Sequence, residues 1–150
     1  MRLLVQRVSE ASVKVEGNIK GEINHGLLLF VGIGEDDSKE DIDWLVKKVT
    51  GLRIFSDEAG KMNLSVTDIN GEYLVISQFT LHASTKKGNR PSYIKAARPE
   101  QAIPLYELFI KQLKSVQSQK VASGIFGADM KVSLINDGPV TIWIDSKNKQ

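Results

Sequence analysis

One stretch near the C-terminus constrains the fold more than any other: residues 132–145, VSLINDGPVTIWID. Its flanks have strand character, with Val132, Leu134 and Ile135 before and Val140, Ile142, Trp143 and Ile144 after. Asp137, Gly138 and Pro139 stand between them. Proline lacks the N–H that a strand ladder needs, and glycine weakens a strand. The segment therefore cannot run as a plain central strand. Two readings remain: a tight turn, since Asn, Asp, Gly and Pro are turn formers, or a shaped length of backbone with a task of its own.

The rest of the chain alternates strand and helix signals. Residues 2–8 read as a strand, and residues 11–16 alternate Val13 and Val15 with polar neighbours, the period of a half-buried strand. Gly17-Asn18 predicts a hairpin. Residues 26–33 form a continuous apolar run, as in a strand buried on both faces. Ser38 can cap a helix, with Asp41 three residues on, Ile42, Leu45, Val46 and Val49 at helical spacing, and Gly51 as a stop. Residues 52–55 read as a short strand. Residues 63–69 and 72–81 flank Asn70-Gly71, which predicts a second hairpin. A polar loop spans 82–98. Ile103, Leu105, Tyr106, Phe109, Ile110, Leu113 and Val116 then mark a second amphipathic helix, with Pro104 either at its first position or kinking the entry of a helix that begins at Pro99. Seven or eight strands and two helices predict a single α/β domain over residues 1–150: a mostly antiparallel, barrel-like mixed sheet with both helices packed on it.

Composition removes several chemistries. The 150 residues hold no cysteine, which excludes disulfides, zinc thiolates and a cysteine nucleophile. His25 and His82 are the only histidines and share no metal-ligand spacing, so no metal or other cofactor is expected. Net charge is only +2 and argues for no partner. The N-terminal stretch, charged at Arg2, Arg7 and Glu10, reads as no signal peptide, and no apolar run is long enough for a membrane helix. The expected location is the cytoplasm.

Local motifs give little side-chain chemistry. GIGEDD at 32–37 begins like a dinucleotide fingerprint, but the third glycine would fall at Asp37 and the acids would repel a pyrophosphate. No P-loop or G-x-S-x-G is present. The carboxylates fall mostly at turns and helix starts, with Asp129, beside Phe126 and Met130, as the one exception. Residues 82–98 carry Lys86, Lys87, Arg90, Lys95 and Arg98 without an acid, with Tyr93 among them. Basic groups around an aromatic suit a phosphate backbone and a stacked base, and equally suit a solvated loop. In LVISQFTL, residues 74–81, Ser77, Gln78 and Thr80 close an apolar strand. They either face solvent by simple alternation or present backbone N–H groups and a hydroxyl to a substrate.

Taken together, these segments resemble the D-aminoacyl-tRNA deacylases. SQFTL at 77–81 and NDGPVT at 136–141 resemble the two family motifs. QRV at 6–8, GEI at 21–23, RIFSDEAGKMN at 53–63, GNRPSY at 88–93 and FGADM at 126–130 match in order, so the resemblance spans nearly the whole chain. It implies hydrolysis of the ester between a D-amino acid and the terminal adenosine of tRNA, with glycyl-tRNA as a further substrate, and hence chiral proofreading in translation. It also implies a cis Gly138–Pro139 bond inserted into the active site of the other subunit of a homodimer. There its carbonyls hold the substrate amine and its backbone excludes an L side chain. The N–H groups of Phe79 and Thr80 would form an oxyanion site. Thr80 is a poor nucleophile without a base to activate it, so the 2′-hydroxyl of the tRNA adenosine would direct water. Arg7 would hold the Gly-Pro loop. Ser77 and Gln78 would sit beside the substrate, Phe126 and Met130 would line its pocket, and Lys86, Lys87, Arg90 and Tyr93 would meet the acceptor end. An apolar final strand fits either the dimer or a strand fully buried in one subunit. Two alternatives stand beside this reading: a non-catalytic RNA-binding module resting on the basic loop, and a purely structural dimer.

Overall fold

The computed structural model describes residues 1–150. Strand β1 (Arg2–Val15) is the spine of a six-stranded sheet, and it is one strand rather than the two that the sequence suggests. Its first half pairs antiparallel with β3 (Gly26–Gly32) and its second half with β2 (Asn18–Ile23). Strand β8 (Lys131–Asp145) runs antiparallel along nearly the whole of its other edge. The β1–β2 hairpin turns at Glu16 and Gly17, both at positive φ, as Gly17-Asn18 predicts. Beyond β3, β6 (Glu72–Ser77) and β7 (Val121–Ser123) add on in parallel. The sheet curls until β2 meets β7: a Cβ on Gly21 would lie 3.1 Å from the Ser123 carbonyl. The result is a mixed, nearly barrel-shaped sheet.

Helices α1 (Lys39–Gly51) and α2 (Pro99–Val116) cover one face of the sheet. In α1 the residues buried are Asp41 and the four predicted from periodicity, Ile42, Leu45, Val46 and Val49. The Asp41 carboxylate accepts the Ser38 N–H at 2.9 Å, the return half of a capping box. Helix α2 starts at Pro99, so Pro104 lies inside it, on its exposed side. Tyr106, Phe109 and Leu113 join Leu3, Val5, Leu27, Leu29 and the α1 face in one core.

The predicted hairpin at Asn70-Gly71 does not form. Strand β5 (Met62–Leu64) pairs instead with β4 (Phe55–Ser56), and residues 65–70 fold into turns closed by Gly71 N–H on the Val66 carbonyl at 2.8 Å. Strand β6 finds its partner in β3, and a parallel pair requires a long crossover. Helix α1 and the β4–β5 ribbon supply it. The strand also stops at Ser77; Phe79–His82 is a short 3-10 helix.

Of the acids around the start of α1, Asp36 and Glu40 are exposed, as expected of solvated caps, but two are not. Asp37 and Asp41 are buried, with Asp37 accepting from the Met1 ammonium and from Gly34 N–H at 2.6 Å. Ser146 donates to Asp41 at 2.6 Å and Lys147 at 3.0 Å. Burial opposes the Asp41 charge, but Ser146, Lys147 and the Ser38 N–H outweigh it and hold the carboxyl at about 2.

Candidate active site

The end of β6 shapes the candidate site. Gln78 N–H donates to the Val31 carbonyl at 2.8 Å, one rung beyond the strand, and the chain then tightens into the 3-10 turn. Leu81 N–H closes on Gln78 at 3.2 Å and Ala83 N–H on Thr80 at 3.0 Å. The first N–H groups of a helix lack partners inside it. Accordingly, those of Phe79 and Thr80 find no acceptor anywhere in the chain. Gln78 Nε2 donates to Thr80 Oγ1. No carboxylate or imidazole bonds to that hydroxyl, so it has no base.

Beside this turn lies a cavity of about 270 Å³. Val31 and Ile33 of the β3 end, Ile76, Ser77, Gln78 and Phe79 form one side; Ala97, Ala102 and Val132 contribute from distant segments. Residues 126–130 close it, bringing in Phe126 and Met130. The Phe126 ring packs on Tyr106 at 5.6 Å, and Tyr106 donates its hydroxyl to the Val75 carbonyl at 3.1 Å. Burial pushes the Tyr106 phenol well above its ordinary value, so it stays a neutral donor. Gly124 makes room for Met130: a Cβ there would lie within 2.4 Å of its sulfur. Asp129 reaches the rim but is exposed and paired with Lys131 at 3.0 Å, so it is no buried acid. Pattern reading missed Ala97, Ala102 and Val132, because small or aliphatic residues far apart in sequence carry no signal of a shared cavity.

The Gly138–Pro139 segment is elsewhere. Strand β8 is continuous through it, but Gln6 pairs with Thr141 while Val8 pairs with Asn136, so Asp137–Val140 bulge out opposite Arg7. The Gly138–Pro139 bond is cis, and Gly138 has φ +136. Arg7 Nε donates to the Asp137 carbonyl at 2.8 Å and Nη1 to the Ile54 carbonyl at 2.6 Å. Asn136 Oδ1 accepts Val140 N–H at 2.8 Å, and Asn136 Nδ2 donates to Thr141 Oγ1 at 2.8 Å. Gly138 and Pro139 are both exposed. Val132, at the cavity, pairs with Val13, six residues along β1 from Arg7, which is roughly 20 Å of strand. Within one chain the bulge and the cavity are therefore separate places.

The final strand is not fully buried. Val140, Ile142 and Ile144 pack on the core, whereas Ile135 is 53% and Trp143 49% exposed. His25 lies at the surface, 3.7 Å from the Asp137 carboxylate; His82 is buried, which lowers its pKa. Lys86, Lys87, Arg90 and Tyr93 are all exposed, and Tyr93 meets Phe79 edge-to-face at 5.1 Å, so the basic loop abuts the SQFTL turn.

Comparison with known proteins gives consistent matches. A family model described as D-Tyr-tRNA(Tyr) deacylase matches residues 4–145. A D-aminoacyl-tRNA deacylase of Bacteroides thetaiotaomicron is 63% identical over 150 residues, covering 100% of both chains. One from Chromobacterium violaceum is 59% identical over the same span. A solved structure titled c-Myc DNA Unwinding Element Binding Protein aligns with a TM-score of 0.92 at 40% identity, covering 97% of this chain and 98% of that one. Another, described as a probable eukaryotic D-amino acid tRNA deacylase, aligns at 0.83 with 14% identity over 95% and 97% of the two chains, and shares the fold.

Proposed function

Given that this chain belongs to the D-Tyr-tRNA(Tyr) deacylase family and is a hydrolase of aminoacyl-tRNA esters, we propose that it selects D-aminoacyl esters with a backbone wall supplied by a second copy of itself. The wall rests on the exposed, Arg7-anchored Gly138–Pro139 bulge lying far from its own cavity, and the hydrolysis on the pair of unpartnered N–H groups of Phe79 and Thr80 beside that cavity. Water adds to the ester carbonyl, and the developing oxyanion accepts from those two N–H groups. The bond to the ribose oxygen then breaks, that oxygen takes the proton, and free tRNA and a D-amino acid leave. No side-chain base stands near Thr80, so the 2′-hydroxyl of the terminal adenosine directs the water. Ser77 and Gln78 flank the reacting ester, and Phe126 and Met130 line the pocket.

Gly138 and Pro139 complete the site from the partner subunit. The exposed bulge, anchored by Arg7 and too far from its own cavity, suits insertion into another protomer. Backbone carbonyls hold the substrate amine, and an L side chain meets rigid main chain. Rejection by clash reaches further than the 1–3 kcal/mol per methylene of an apolar pocket. Glycine carries no side chain and would also be accepted, so glycyl-tRNA is a second substrate. Lys86, Lys87, Arg90 and Tyr93 receive the acceptor end of the tRNA in the cytoplasm, where charged tRNA is made and used. The non-catalytic RNA-binding reading rested on the basic loop alone and falls with membership of a hydrolase family.

The test is single-turnover hydrolysis of D-Tyr-tRNA and L-Tyr-tRNA side by side, with and without chelator. Loss of the D ester alone, unaffected by the chelator, supports the proposal. Equal loss of both removes the chiral role of Gly138-Pro139, and arrest by the chelator brings a metal into the reaction.

A further inference from the structure

A second cavity, of about 230 Å³, opens at the far end of the 3-10 helix, lined by His82, Ser84, Lys86, Lys87, Ser92 and Lys95 among others. We propose that it seats one phosphodiester of the acceptor strand, the one directly 5′ of the aminoacylated nucleoside. The assignment rests on the functional reading above for the identity of the strand.

The charges around this cavity are uncompensated. The ion pairs of the chain engage Met1, Arg2, Arg7, His25, Lys39, Lys131 and Lys147, and none engages Lys86, Lys87 or Lys95. Three ammonium groups around one concavity repel one another until an anion enters. Two serine hydroxyls are ready to donate to it.

The site is also held in shape. Ser84 and Ser92 exchange backbone hydrogen bonds of 2.8 and 2.9 Å, a rung that pins the base of the basic loop. The loop returns to the core through Glu35 N–H on the Lys95 carbonyl at 3.1 Å and Ala97 N–H on the Ile33 carbonyl at 2.9 Å. Lysines on a freely moving loop would lose entropy on binding; here much of that ordering is already done. His82 forms the floor, 8% exposed, and its Nε2 has no partner in the chain.

Position selects the phosphate. The cavity lies one short 3-10 helix beyond the Phe79 N–H, roughly 6 Å at about 2 Å per residue. That is the reach of one nucleotide. With the ester carbonyl at Phe79 and Thr80, the terminal adenosine spans the gap beside Tyr93, and its 5′ phosphate falls at the lysines.

The test compares binding of the dinucleotide CpA with its uncharged methylphosphonate analogue, by calorimetry at low salt, which needs no catalysis. We expect the charged form to bind at least fivefold tighter in the wild type and about equally in Lys86→Gln/Lys87→Gln/Lys95→Gln. The charge-matched control Lys47→Gln/Lys111→Gln/Lys114→Gln keeps the preference. A preference that survives in the loop variant, or disappears in the control as well, overturns the assignment. So does inorganic phosphate binding the cavity as tightly as CpA, which would make it a free-anion site. Failure to hydrolyse D-Tyr-tRNA would sink the catalytic reading and leave this binding result standing.

Discussion

Arg7 donates from Nε to the Asp137 carbonyl at 2.8 Å, and so ties the Gly138–Pro139 bulge of β8 to the middle of β1. Its Nη1 also donates to the Ile54 carbonyl at 2.6 Å. A planar fork can serve both carbonyls, and a lysine ammonium cannot hold the same two directions. Hydrogen bonds from a charged donor contribute about 1.5–3 kcal/mol. Arg7→Lys should therefore lower kcat/KM for D-Tyr-tRNA roughly tenfold to a hundredfold. An unchanged kcat/KM in steady-state assays would mean that Arg7 does not hold the bulge for function.

Gly138→Ala tests the bulge itself. The added Cβ would lie 2.8 Å from Arg7 Nη2 and 3.0 Å from Val140 Cγ2, at φ +136, where side chains are rarely accommodated. Activity on the D ester should fall by roughly tenfold or more, with a cost to stability of about 1–3 kcal/mol. Denaturant melts and single-turnover rates on the same preparation check both, and wild-type activity would refute the bulge as part of the site.

Thr80→Ala should be mild. The hydroxyl accepts only from Gln78 and has no base, so its loss should slow hydrolysis by less than about tenfold. A single-turnover rate roughly a thousandfold or more below wild type would restore Thr80 as the nucleophile.

Insertion across a dimer is tested by mixing subunits. Gly138→Ala damages the wall, and Ala128→Trp fills the cavity from its lining. If the wall acts in the partner, a mixed dimer has one intact site, and a statistical mixture should recover about a quarter of wild-type activity. Co-expressed protein with no activity above the two single variants would place the wall in its own subunit.

Acid should loosen the start of α1. With its folded carboxyl held at about 2 against an ordinary value of 3.8, Asp41 binds its proton less readily in the native state. Its contribution, about 2 kcal/mol, is full above pH 4 and is lost as pH falls through the range from 4 to 2. Ser146→Ala removes the 2.6 Å donor and should shrink this acid-sensitive part of the stability. Urea melts at pH 7 and pH 3 should show the variant losing less between the two pH values than the wild type.

Local order was legible residue by residue. The Ser38 start and the Ile42, Leu45, Val46, Val49 face of α1, the turn before Asn18 and the buried run of β3 all follow from spacing, capping and turn chemistry, which act over a few residues. The Asn70-Gly71 hairpin failed because the same dipeptide suits any tight turn, and the free edge of β3 outcompeted β5 for β6. Asp37 and Asp41 read as solvated caps because the groups that pair with them, Met1, Ser146 and Lys147, come from the chain's two ends.

The sequence by itself determined where helices and turns begin, that thiol chemistry is absent, and that the stretch around Gly138-Pro139 could not run as a plain ladder. Tertiary structure alone decided which strand edge met which, that Val31, Ala102, Phe126 and Val132 share one cavity, and that the Phe79 and Thr80 N–H groups stay unpaired beside it. The physical reason is range. Capping, periodicity and missing donors are properties of neighbouring residues, while backbone N–H and C=O groups are identical along the chain and acquire partners only when the whole sheet closes.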